Sequence, residues 1–247
     1  MVSGIVDYDR QVLESALEWW RDAGVDMVVE NSPRDWFART APAPLSAPSR
    51  STSLARPAEP VLDAPLPSDW DAFLAWRGGA DAPEARWMGG GVLASGPVDS
   101  AVMVLADLPD REDCEAGALL TGEAGRLFDR MLAAIGLDRG RVHLASVCSK
   151  RPVTGRVSRT DDARLGEIAR HHVSLIGPRR LLLMGDAASR AVTGVNVIEA
   201  RGRLHPIGHK DATTEAVASF HPRLLLERPA LKREAWADLR LLMRGLG

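Results

Sequence analysis

Four short apolar runs, each followed by a segment with helical periodicity, constrain this chain more than any other feature. They are Val102-Met103-Val104-Leu105, residues 141–147, Leu181-Leu182-Leu183-Met184 and residues 216–220. Runs of four to seven residues are too short for buried helices and fit strands covered on both faces. Between them, residues 122–135 place Ala124, Leu127, Phe128, Met131, Leu132 and Ile135 on one helical face. Leu165, Ile168, Ala169, His172, Val173 and Ile176 repeat the pattern after Thr160, which is expected to cap that helix. Residues 187–192 and 231–246 supply two more helices. Such alternation predicts an α/β fold: a three-layer α/β/α sandwich around a four-stranded, mainly parallel sheet. Right-handed crossovers bring every strand's C-terminal end to one edge, where open α/β sheets bind ligands. Asp107, Ser146, Gly185 and His221 all sit at run ends and are expected to converge there.

The first part of the chain reads differently. Residues 1–39 are expected to form a helical leader, because Leu13, Ala16, Leu17 and Trp20 share a face. Residues 40–67 are rich in Ala, Pro and Ser and are expected to form a flexible tether. The α/β domain is then expected over residues 68–247, opening with a helix capped by Ser68 that turns Trp70, Phe73 and Leu74 inward. The longest apolar runs fall short of the roughly 18 residues of a membrane span, and residues 1–10 lack a basic-then-apolar signal pattern. A cytoplasmic monomer with no membrane partner is expected.

The net charge of −2 does not by itself point to nucleic acid, but its distribution is uneven. Residues 139–159 hold six cations (Arg139, Arg141, Lys150, Arg151, Arg156 and Arg159) and no carboxylate. A strip of this kind suits either a phosphate backbone or a solvated loop. Asp110, Glu112, Asp113 and Glu115 read as an acidic, solvated loop. The two cysteines, Cys114 and Cys148, are too few for a structural metal site and read as idle thiols. His171 and His172, adjacent on a helix, and His205 and His209, in a cation-rich loop, read as structural rather than metal-binding.

The ordered set Ala106-Asp107-Leu108-Pro109-Asp110, Gly117, Gly122-Glu123-Ala124-Gly125-Arg126-Leu127, Lys150-Arg151-Pro152, Pro178, Gly185, Arg201-Gly202 and Phe220-His221-Pro222 resembles the uracil-DNA glycosylase superfamily. It is most similar to the iron–sulfur family 4 branch, whose first motif reads Gly-Glu-Ala-Pro-Gly. The resemblance runs over residues 101–246. It implies Asp107 as the acid that orients water or stabilises the sugar cation, and His221 as donor to the leaving base. It further implies Ala106, Leu108, Leu120 and Ser146 around the base, and Lys150, Arg151, Arg156, Arg201 and Arg223 on DNA. Leu225 is the implied wedge that fills the stack behind a flipped base.

Several positions depart from the family pattern. Lys150, Leu165 and Gly79-Ala80 stand where cluster cysteines are expected, so the resemblance implies a cluster-free protein without cofactor. Apolar contacts of Trp70, Phe73, Trp76 and Trp87 are expected to hold the region that a cluster would otherwise tie down. Leu120 replaces a stacking aromatic, Ser146 replaces the Asn that reads uracil, and Arg223 replaces a Ser. A hydroxyl cannot reproduce the paired contacts of an amide. Excision of a deaminated base from DNA, non-catalytic DNA binding, and hydrolysis of a small molecule therefore all remain open at this point.

Overall fold

The computed structural model describes residues 65–247, apart from residues 156, 210, 211, 245 and 247. The expected leader, and the expected tether up to residue 64, lie outside the described residues. The last tether residues lie against the domain: Leu66 packs on the core, and the Pro67 carbonyl lies 2.7 Å from His171 Nε2.

The strands are β1 (Val102–Ala106), β2 (Val142–Ser146), β3 (Arg180–Met184), β4 (His205–His209) and β5 (Ala212–Ser219). The sheet order is β2-β1-β3-β5-β4. The first four strands in that order are parallel, and β4 returns antiparallel on β5. The sheet therefore has five strands where four were expected. The register aligns Ala106 with Ser146 and Met184, and Met184 with Ser219. Asp107, Val147, Gly185 and Phe220 consequently leave the sheet side by side.

The α-helices among the described residues are α1 (Trp70–Gly78), α2 (Arg111–Ala116), α3 (Gly122–Ala134), α4 (Arg159–Ile176), α5 (Asp186–Thr193), α6 (Val197–Ala200), α7 (Pro222–Glu227) and α8 (Lys232–Leu242). Strand alternation sorts the core into two layers. Met103, Leu105, Leu181 and Leu183 meet Leu165, Ile168 and Val173 of α4 on one face. Val104, Leu144, Leu182 and Val217 meet Phe128 and Leu132 of α3 and Leu239 and Leu242 of α8 on the other. The three-layer α/β/α sandwich is thus present. No helix among the described residues is long and apolar enough to cross a membrane.

Local caps differ from expectation by a residue or two. Asp69, not Ser68, caps α1 by accepting from Ala72 N at 2.9 Å. Ser158, not Thr160, caps α4 through Asp161 N. The acidic run is not a solvated loop. It forms α2, and Asp113 is buried, accepting from Asp110 N, Thr121 N and Thr121 Oγ1 at 2.7–3.0 Å. Three backbone or hydroxyl donors satisfy that carboxylate, which makes its burial tolerable.

Helix α1 is pinned to the sheet from both sides of its C-terminal turn. Phe73 is fully buried, and Trp70, Trp76 and Trp87 pack partly buried against the same core, as expected. A second anchor was not foreseen. Arg77 and Glu84 form a buried ion pair at 2.7 Å; Arg77 also donates to the Val147 carbonyl, and Glu84 accepts from Ser149 N at 2.9 Å. Beside α1, His143 Nε2 lies 3.0 Å from His172 Nε2, and the Trp70 ring contacts both imidazoles, edge-to-face with His143 and tilted over His172.

Candidate active site

Asp107 is the first residue past β1, and its carboxylate reaches across to the start of α5. Oδ1 accepts from Ala188 N at 2.8 Å and Oδ2 from Asp186 N at 3.1 Å. Two amides at a helix N-terminus fix the group in place and favour its anion. Burial works the other way and wins, pushing the carboxyl up to about 6. The close approach requires glycine at residue 185, where φ is +114° and a Cβ would lie 2.3–2.6 Å from the Asp107 carboxylate atoms.

His221 leaves β5 by way of Phe220 and opens α7, with Pro222 at the first helical position. Its Nδ1 accepts from Arg223 N at 3.3 Å. The ring proton therefore resides on Nε2. Burial, the main cause, lowers the imidazole to about 4, so it is neutral near pH 7. Asp107 and His221 line one cleft of about 400 Å³, with Leu108, Phe220, Arg223 and Leu224 among its walls. That volume lies at the small end of ligand pockets, roughly 300–1,000 Å³.

The other expected site residues divide into two groups. Leu108 and Arg223 line the cleft with the acid and the imidazole. Arg151 pairs at 3.4 Å with Asp110, whose same oxygen Arg223 contacts from the cleft wall. Ala106 is buried as the last residue of β1. Lys150 is partly exposed just beyond β2, and Arg156 lies outside the described residues.

Leu120, Ser146, Leu225 and Arg201 are placed elsewhere. Leu120 is buried against the α3 layer, with φ of +52°, and offers no face to the cleft. Ser146 Oγ donates to the Cys148 carbonyl at 2.6 Å, so its donor is spent on its own turn. Leu225 is 1% exposed in the core, because α7 turns it inward and leaves Leu224 on the cleft wall. Arg201 is consumed by Asp238 and Glu234, and its guanidinium lies over the Phe220 ring at 4.6 Å. Nor does the basic stretch form one strip. Arg139 and Arg141 precede β2, where Arg139 pairs with Asp129 and Arg141 donates to Gly136 O; Lys150 and Arg151 follow the strand's far end.

Sequence reasoning missed Gly185 as the contact partner of Asp107, and Asp110 as the partner of two arginines. The only sequence signal for the first was its place after an apolar run. The histidines outside the cleft are engaged structurally: His205 with Ala200 O and His209 with Thr214 Oγ1, each at 2.7 Å. No group of three or more metal-ligating side chains occurs among the described residues. A four-thiolate cluster does not fit this donor set. Cys148 is buried with its thiol pushed up to about 12, mainly by desolvation, and Cys114 donates to Gly90 O from another element.

Comparison with known proteins accords with this geometry. The sequence profile of the uracil DNA glycosylase superfamily matches residues 93–240. The chain is 24% identical over 171 residues to a type-4 uracil-DNA glycosylase of Pyrobaculum aerophilum, covering 66% of this chain and 87% of that protein. Proteins of the same name from Archaeoglobus fulgidus and Thermotoga maritima are 24% and 26% identical, over 56% and 55% of this chain and 73% and 71% of theirs. With the profile spanning more than half of its length and the parallel sheet presenting the matching run ends at one edge, the chain belongs to the uracil DNA glycosylase superfamily, as a divergent relative of the type-4 branch.

Proposed function

We propose that this protein hydrolyses the N-glycosidic bond of a deaminated base flipped out of DNA, acting as a cluster-free monomer in base-excision repair. The observation that carries the reading is the shared cleft of Asp107 and His221. Cleavage breaks the bond between the sugar C1′ and the base nitrogen, leaving positive charge on the sugar and negative charge on the base. Asp107, ionised above about pH 6, has lone pairs beyond those given to Asp186 N and Ala188 N. It can stabilise the sugar cation and orient the water that adds to C1′. The neutral His221 directs its Nε2–H at a base oxygen and stabilises the anion without first surrendering a proton. Phe220 and Leu108 supply apolar walls that exclude water.

One observation favours a second reading, a DNA-binding relative without base release. With Ser146 turned to Cys148 O and Leu120 buried, the two expected base-reading side chains contribute no amide and no stacking ring. A site that lacks a hydrogen-bond partner for its substrate loses orders of magnitude in discrimination. Release of free base from single-stranded and duplex oligonucleotides bearing uracil, hypoxanthine or xanthine separates the two. The wild-type chain should release at least one base, and Asp107→Asn and His221→Ala should slow it by about 100-fold or more, the scale of lost electrostatic stabilisation. Background release by all three proteins, with retained salt-sensitive DNA binding, would select the second reading.

A further inference from the structure

Two residues of opposite charge meet at the cleft. Asp110 lies in the turn between β1 and α2, and Arg223, in the first turn of α7, stands where the family pattern has a serine. Arg223 Nη1 contacts Asp110 Oδ1, and Arg151 Nη1 lies 3.4 Å from the same oxygen while donating to Pro109 O at 3.1 Å. Two guanidinium groups from different segments thus converge on one carboxylate oxygen. Arg223 also lines the cleft that holds Asp107 and His221. The Arg223 side chain is 52% exposed and that of Asp110 21%, so water reaches the pair and the contact is weak and exchangeable.

A phosphodiester oxygen carries the same charge as this carboxylate, and guanidinium forks bind both anions in the same geometry. We propose that Arg151 and Arg223 form a phosphate seat beside the cleft, and that Asp110 fills it in the free protein as an internal surrogate displaced by a nucleic-acid phosphate. The proposal rests on the reading given under Proposed function and adds a regulatory contact to it. Asp110 blocks two arginines against stray anions, and only a strand that also delivers a base to the cleft gains enough contacts to displace it.

The test uses the full chain and a fluorescein-labelled single-stranded oligonucleotide with one uracil. Anisotropy at several salt concentrations is compared for wild type, Asp110→Asn, Arg223→Ala, Arg151→Ala/Arg223→Ala, and that double variant carrying Asp110→Asn as well. Asparagine is isosteric and remains a good residue at a helix start, so folding is retained, with melting as the check. Asp110→Asn should bind about three- to tenfold tighter at low salt, the effect of uncovering one phosphate contact. Arg223→Ala should bind more weakly, with a salt slope shallower by about 0.7, the value of one lost single-strand phosphate contact. In the double-alanine background, Asp110→Asn should bring no gain.

Unchanged or weaker binding by Asp110→Asn would overturn the seat, as would an equal gain without the two arginines, which would signal general charge repulsion. Base release is scored with the same proteins on single-stranded and duplex oligonucleotides bearing uracil, hypoxanthine or xanthine. Tighter Asp110→Asn binding without any base release keeps the seat and removes the glycosylase reading. Base release without tightening keeps that reading and removes the seat. No binding by any variant at low salt removes both.

Discussion

Asp107→Asn separates the proposed chemical role of this acid from its role as a cap on α5. Its carboxyl has been raised from 3.8 to about 6. A group raised on folding contributes stability that is fully present below its unfolded value and lost as pH climbs through the folded one. Holding Asp107 ionised therefore costs the fold about 0.5 kcal/mol at pH 4 and about 3 kcal/mol at pH 8, at 1.36 kcal/mol per pH unit. Asparagine escapes that cost. It also turns an amide nitrogen towards one of the two backbone donors, at about 1–3 kcal/mol whatever the pH. The variant should thus gain on wild type by about 2–3 kcal/mol between pH 4 and pH 8 while its base release collapses. At 2–4 °C per kcal/mol for a domain of this size, the melting-temperature difference should move by roughly 5–10 °C in the variant's favour. Differential scanning calorimetry of both proteins at pH 4, 6 and 8 and fixed ionic strength measures it. A difference that stays constant with pH would refute the reasoning, because it would mean that Asp107 is not held against its ionisation.

Other perturbations probe the frame around the acid. Gly185→Ala places a methyl within 2.6 Å of the Asp107 carboxylate at a left-handed φ; it should cost at least about 2 kcal/mol and abolish base release, and a fully active, stable variant would contradict the contact. Arg77→Met leaves Glu84 buried without its cation and should lower stability by about 3–5 kcal/mol in urea denaturation, whereas a loss under about 1 kcal/mol would show that the pair is not an anchor. Burial lowers both His143 and His172, so their contribution is present above the ordinary histidine value of 6.5 and lost as pH falls below it. His143, Arg77 and His171 add to the lowering at His172, and His172→Phe should flatten the wild-type loss of stability between pH 7 and 5; an unchanged slope would assign that loss to other groups.

The parallel core of this fold was legible because β1 and residues Leu181 to Met184 of β3 are unbroken apolar runs, which only a doubly covered sheet can bury. Strand β4 was not. His205-Pro206-Ile207-Gly208-His209 contains both proline and glycine, and as an edge strand it alternates partly buried and exposed residues. Helix α2 was hidden by its charge: nothing local says that Asp113 meets Thr121 rather than water. At the site, Asp107 and His221 could be read because motif order places them at strand ends. Leu225 and Arg201 could not, since a one-residue rotation on α7 decides whether Leu224 or Leu225 faces the cleft, and the partners of Arg201 lie more than thirty residues later, at Glu234 and Asp238. Side-chain direction and long-range ion pairing are tertiary facts, and one sequence does not encode them in any local pattern.

The Arg77–Glu84 clamp is complete as soon as the chain folds. It requires no assembly machinery, and peroxide or a chelator finds nothing in it to remove. Only unfolding, by exposing the pair to water, would release this fastening of α1 to the sheet.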